Sequence, residues 1–193
     1  LASCGSWVGV NNKGVILALL NRYQGPQTEN AKSRGGIIPG ALAQGGRLAV
    51  KSWLQQLPYA DYNPFDLFLI SKKQVMHFAW DAEQYVSESI DFKHWFMVTS
   101  SSLMTEEVIA YRQNLFKAWS SEMGKKLAAS EEILRGFHLI QFEGMETHSV
   151  LMEREKSHTR SVIQADLDGE KMQLKYIPDI LENSLDAPLA GVQ

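Results

Sequence analysis

The side chains best placed to do chemistry stand where apolar runs stop. Asn21 and Arg22 close the run Val15-Ile16-Leu17-Ala18-Leu19-Leu20, and Thr159-Arg160-Ser161 stand at the entry of another. Strand ends often line pockets in layered folds. An Asn amide there could donate to an oxyanion, and an Arg could clamp a carboxylate or phosphate. The competing reading is that polar residues simply resume at the surface where a strand ends. Arg34-Gly35-Gly36 could hold an anion on exposed backbone amides. It is not a P-loop, because no Gly-Lys-Ser or Gly-Lys-Thr follows; its alternative use is a glycine bend for close packing.

Cys4 could act as a nucleophile if a helix terminus or a cation lowered its pKa. The more ordinary use is a small buried residue beside Gly5. With Leu1 in front, neither Ser3 nor Cys4 has its own free amine as a base. His77, His94, His138, His148 and His158 show no metal-ligand spacing, such as two His four apart with a Glu between, and no metal is expected. His77 reads as a satisfied core or edge histidine. Met76, Phe78, Trp80, Trp95 and Met97 could line a ligand pocket, but such a stripe more commonly builds a core.

These residues need elements to position them. Residues 5–22 read as a hairpin, two apolar runs around Asn11-Asn12-Lys13-Gly14, because Asn and Gly tolerate positive φ. The second arm is apolar from Val15 to Leu20, which implies a strand covered on both faces. Ser33 is a candidate cap. A short helix is expected from Ile37 to Gln44, entered through a glycine-rich bend. Arg47 to Leu57 follows as a cleaner helix, with Leu48, Trp53, Leu54 and Leu57 sharing a face and Pro58 as the stop. Phe65 to Ile70 and Gln74 to Trp80 read as paired strands, and Trp95 to Thr99 as a further one.

Thr105 to about Met123 is a helix with Glu106 and Glu107 in its first turn. Leu127 to Leu134 is another, closed by Gly136. Val150 to Met152 reads as a strand edge, followed by a charged turn, Glu153 to Ser157. Thr159 to Leu167 and Lys171 to Tyr176 are strands around the turn pair Asp168-Gly169. Residues 177–193 read as loop and tail. Strands at both ends and helices between them predict one α+β domain over residues 1–193.

Composition narrows the field. The chain has 45% hydrophobic and 21% charged residues, a net charge of -3 and one Cys. That describes an ordinary soluble protein, expected in the cytoplasm, without the basic block of a nucleic-acid binder. One Cys excludes an intrachain disulfide framework and a multi-cysteine metal site. No apolar run approaches the roughly 18 residues of a spanning helix, and no signal peptide is visible. The sequence starts at once in apolar, glycine-rich residues without an initiator Met, so a fragment or a processed product is expected.

A set of short blocks in fixed order adds a resemblance. Gly5-Ser6-Trp7-Val8-Gly9-Val10-Asn11 with Gly14-Val15, then Leu20-Asn21-Arg22, Lys32-Ser33-Arg34-Gly35 and Asn63-Pro64-Phe65-Asp66-Leu67 are similar to blocks of the NRDE family. Val98-Thr99-Ser100, Tyr111-Arg112, and Ser149 to Met152 with Thr159-Arg160-Ser161-Val162 continue the match, over about residues 4–176. The family, transport and Golgi organisation protein 2-like, resembles N-terminal-nucleophile hydrolases. The resemblance therefore implies a four-layer αββα sandwich.

The family pattern opens with Met-Cys and an Asn-Arg-Asp-Glu box ahead of the Gly-Ser-Trp hairpin. Neither is present here, so the resemblance implies a domain truncated at its N-terminus, with unpaired strand edges through which copies could pair. Asn21 is then the oxyanion-side amide and Arg160 a pocket cation, the two candidate catalytic residues, with Arg22 and Arg34 as ligand-binding candidates. The implied activity is hydrolysis of a C–N bond in a small amide by the full-length protein. The alternative is a non-enzymatic carrier or trafficking protein for a small molecule, haem or lipid-related, with Golgi or mitochondrial association in a eukaryote. Haem is the only cofactor suggested, and by resemblance alone.

Overall fold

The computed structural model describes residues 5–91, 95–123, 131–168 and 171–180. Cys4, His94 and Gly169 lie outside them, as do residues 127–130 of the helix expected from Leu127 and residues 181–193 of the expected tail. Its largest element is a five-stranded antiparallel sheet in the order β1 (Val8–Asn11), β2 (Val15–Asn21), β3 (Phe65–Ser71), β4 (Gln74–Trp80), β5 (Tyr85–Ile90).

The opening hairpin forms where the turn residues predict it. Asn11 pairs with Val15, which leaves a three-residue loop, and Gly14 sits at φ 72°, a left-handed conformation that favours glycine. The Asn11 side chain then ties the hairpin down. Its oxygen accepts from the Lys13 and Val15 amides, and its amide donates to the Leu42 and Gly45 carbonyls at 3.1 and 2.7 Å. The Leu42 carbonyl ends helix α1 (Ile37–Leu42) and Gly45 closes the turn after it, so one Asn fixes its own turn and satisfies a helix terminus.

Registry decides what each face of the sheet carries. Leu17 pairs with Leu69, Leu19 with Leu67 and Asn21 with Phe65, while Leu69 pairs with Met76, Leu67 with Phe78 and Phe65 with Trp80. These side chains share one face and pack with Ile37, Ile38 and Ala41 of α1 and with Val50 and Leu54 of α2 (Arg47–Gln55). Met76, Phe78 and Trp80 are therefore core residues and not pocket lining. Leu48 is 69% exposed, so the α2 face is built on Val50 and Leu54 instead of Leu48. The opposite face of the sheet carries Ile16, Leu20, Asp66, Phe68, Val75, His77 and Glu88, by the alternation of strand side chains.

A tight backbone approach joins the hairpin to the glycine-rich bend. Ser33 caps a 3₁₀ turn, Arg34–Gly36, by accepting from the Gly35 amide. The Ser6 amide donates to the Gly35 carbonyl at 3.0 Å. A Cβ on Gly35 would lie 2.9 Å from the Gly5 Cα, and one on Gly5 would lie 2.8 Å from the Gly35 Cα. The glycine bend is there to let two backbones touch.

The structure departs from the expected elements in four places. Tyr85–Ile90 is a strand, missed because only its ends are apolar. Residues 95–100 form no regular element, although Trp95-Phe96-Met97-Val98 has strand composition. Helix α4 (Glu131–His138) runs through Gly136 instead of stopping there. The charged stretch after Met152 is a small hairpin, β6 (Glu153–Arg154) with β7 (Ser157–His158), while Val150 to Met152 is outside any strand.

Helix α3 (Thr105–Met123) and the paired strands β8 (Ser161–Asp168) and β9 (Lys171–Pro178) complete an α+β fold. The chain divides into two compact units, Leu1–Thr105 with Ala165–Leu174, and Glu106–Gln164 with Lys175–Gln193. In the second unit Phe116, Trp119 and Phe137 pack α3 on α4, with ring centroids 4.9 to 5.8 Å apart. Arg112 donates from Nε to the His148 carbonyl and from a terminal nitrogen to the Ser149 carbonyl, each at 3.0 Å. This guanidinium holds the loop after α4 against α3. Burial lowers its pKa, helped by nearby Arg154.

Candidate functional site

Three of the four predicted site residues meet at the end of β2. Asn21 is the last residue of the strand, on the helix-covered face beside Phe65. Its amide nitrogen donates to the Tyr23 hydroxyl at 3.0 Å. Its carbonyl oxygen is buried and has no hydrogen-bond partner among the described residues. A buried acceptor left unmatched costs about 1–3 kcal/mol, and the neighbouring Tyr23 hydroxyl can donate to this oxygen when the amide is turned over.

Arg22 and Arg34 converge on one atom. The Arg22 amide donates to the Pro64 carbonyl at 3.0 Å, and a terminal nitrogen of Arg34 donates to the same oxygen at 2.6 Å. Pro64 precedes Phe65, the partner of Asn21, so the Arg34 guanidinium is fixed beside the strand end. Its pKa is lowered, mainly by burial, with the Tyr23 hydroxyl acting the other way. Arg160 is an exposed residue of the second unit, just before β8, and its carbonyl accepts from the Ile180 amide at 3.4 Å.

On the other face of the sheet stands a polar row that the sequence reading did not assemble. The Arg22 guanidinium approaches Asp66 at 3.9 Å. Asp66 faces Nε2 of His77 at 2.8 Å, and Glu88 faces Nδ1 at 3.2 Å. Only the imidazolium can donate to both carboxylates at once. The His77 pKa is accordingly raised, first by the bond to Asp66, against burial, with Glu88 adding to the rise. Phe68 stacks on the ring, centroids 4.7 Å apart and planes within 3°. His77 is thus a satisfied histidine, held by charge and not free as a general base. A signal was present: Asp66 and His77 are polar residues inside two strands that are otherwise polar only at the turn, Ser71 and Gln74. Tyr23 was missed because it opens a polar loop.

Haem ligation is not supported at His77 or His148. Both nitrogens of His77 face carboxylates, and Nε2 of His148 faces Glu107 at 3.1 Å. Among the described residues no group of three or more His, Cys, Asp and Glu could hold a metal ion. No helix among them is long and apolar enough to cross a membrane.

The arrangement can bind and orient. Around Asn21 it offers an amide, a phenol and the Arg34 guanidinium, a set suited to a small ligand with both an amide and an anionic group.

No curated protein matches the chain. The family model described as Transport and Golgi organisation 2 matches residues 2–173, a span that holds Asn21, Tyr23, Arg22, Arg34, Asp66, His77 and Arg160 alike. The chain therefore belongs to the Transport and Golgi organisation 2 family.

Proposed function

We propose that the protein binds a small amide at the end of β2 and, in its full-length form, hydrolyses the C–N bond of that amide. The observation that carries this reading is the buried, unpartnered carbonyl oxygen of Asn21. The Tyr23 hydroxyl can donate or accept. In one setting of the Asn21 amide its oxygen takes an N–H from the ligand. In the other, Tyr23 donates to that oxygen and the Asn21 amide donates to the ligand carbonyl, where charge develops during acyl transfer. Arg34 takes the anionic end of the ligand; the Arg22 guanidinium stands beside Asp66 on the other face, so its ligand-binding role is a separate proposal that Arg22→Gln tests. Arg160 keeps its proposed role as a pocket cation, and its own substitution tests it.

The same proposal includes a single domain over residues 1–193, built as a four-layer αββα sandwich of the N-terminal-nucleophile-hydrolase kind and working in the cytoplasm. The nucleophile would be the N-terminal Cys of the family pattern. A second reading is a carrier that binds without turnover. It is favoured by the character of the groups around Asn21, which are hydrogen-bonding and cationic.

Released amine and bound ligand, measured in parallel with N-acetyl amino acids and their amides, test both. Turnover by the native protein, lost when its N-terminal Cys is replaced by Ala, supports hydrolysis. Saturable binding that Asn21→Ala and Arg34→Gln weaken, with no amine released, supports the carrier. Absence of binding and of turnover overturns the site.

A further inference from the structure

At the other end of the same sheet, the turns gather positive charge around a cavity. The β1–β2 turn brings Lys13, the start of α2 brings Arg47, and the β3–β4 turn brings Lys72 and Lys73. The cavity they line holds about 810 Å3, and Leu48 and Leu167 give it an apolar wall. Leu167 belongs to the same compact unit as the other lining residues. The whole chain carries 22 acidic and 19 basic side chains and a net charge of -3, yet no carboxylate among the described residues lines this cavity. None of the four cations makes a salt bridge among the described residues. Arg47 is instead aimed by Gln74, whose side-chain oxygen accepts from it at 2.9 Å.

The backbone adds to the field. Helix α2 begins after Gly46, which has no side chain to cap it, and its first internal bond runs from the Val50 amide to the Gly46 carbonyl. The amides of its first turn therefore have no partner within the helix, and they stand at the positive end of the helix dipole. Like charges held together without counter-charges cost stability unless an anion joins them. A multiply charged phosphate balances several cations at once, and a cavity of this size has room for more than the phosphate itself.

We infer that the cavity formed by Lys13, Arg47, Lys72 and Lys73 binds a phosphate-bearing ligand whose apolar part rests on Leu48 and Leu167. The phosphate could belong to a soluble ester or to a lipid headgroup, and the test separates them. The site is distinct from the cluster at Asn21 and does not depend on the function proposed there.

Pyrophosphate is titrated calorimetrically into the intact protein at several salt concentrations. Co-sedimentation is measured with phosphatidylcholine vesicles with and without phosphatidic acid. Saturable pyrophosphate binding that weakens with salt, and by about tenfold or more in the Lys72→Ala/Lys73→Ala variant, supports a soluble phosphate ester. Sedimentation only with phosphatidic acid, lost in the same variant and competed by pyrophosphate, supports a lipid headgroup. Asn21→Ala should leave either result unchanged. Failure of both probes to bind overturns the inference, and so does binding that Lys13→Ala and the double variant leave intact.

Discussion

A buried acceptor without a donor is a sharper mark of function than a charged surface residue, because the fold gains nothing from it. Asn21 is such a residue. An apolar side chain of similar shape gives up the bond to the exposed Tyr23 hydroxyl, typically worth about 0.5–1.5 kcal/mol, and in exchange removes the cost of the unmatched oxygen. Asn21→Leu should therefore shift unfolding free energy by no more than about 1 kcal/mol, read by urea denaturation, while amide binding falls. A large loss of stability would make Asn21 a structural residue.

His77 makes the opposite case. Its pKa is raised from the ordinary value of 6.5 by Asp66 and then Glu88, so the folded state holds the proton more tightly than the unfolded chain. The stabilisation is complete below about 6.5 and is lost as pH climbs through the raised folded value. Melting temperature followed across this range should fall as pH rises, and His77→Gln should flatten that slope. An unchanged slope would show that the two carboxylates contribute nothing through this ring.

At the scale of elements, the contact between Gly5 and Gly35 decides how the hairpin meets the turn before α1. Neither backbone can retreat as a flexible side chain would. Gly35→Ala should cost about 1–3 kcal/mol, as overpacking of a tight site does, measured by chemical denaturation. A neutral result would mean that the hairpin is not seated on this bend. The glycines were legible as a bend, but not what they touch, because the touching residue is 30 positions away.

The same limit separates what else could be read. Alternation along β4 set Met76, Phe78 and Trp80 on one face and Val75, His77 and Ala79 on the other, as found, since strand side chains alternate whatever lies around them. It could not say that Asp66, His77 and Glu88 form a row, because that depends on register between strands. The cationic cavity was hidden for a similar reason. Lys13, Arg47 and Lys72-Lys73 are far apart in sequence and read singly, the lysines as turn residues and Arg47 as the start of a helix. Helix α4 ran through Gly136 because Phe137 is held by Phe116 and Trp119, packing that overrides a penalty of about 1 kcal/mol for glycine in a helix.

Considered as a whole, the five-stranded sheet ends in β1 on one side and β5 on the other, among the described residues. An open edge offers unpaired backbone groups to another copy unless charge, proline or a bulge blunts it. β1 is only four residues long. β5 is longer, reads Tyr-Val-Ser-Glu-Ser-Ile, and has neither Lys nor Pro. Its Val86 is 49% exposed. A net charge of -3 gives little long-range repulsion to keep copies apart. If the sheet associates, β5 is thus the edge that the fold leaves least protected. Light scattering behind size-exclusion chromatography should show mass rising with concentration, and Val86→Lys should hold the protein as a monomer at the same concentrations. Association that survives Val86→Lys would move the interface to another surface, and a wild-type protein that stays monomeric throughout would remove edge pairing from the account altogether.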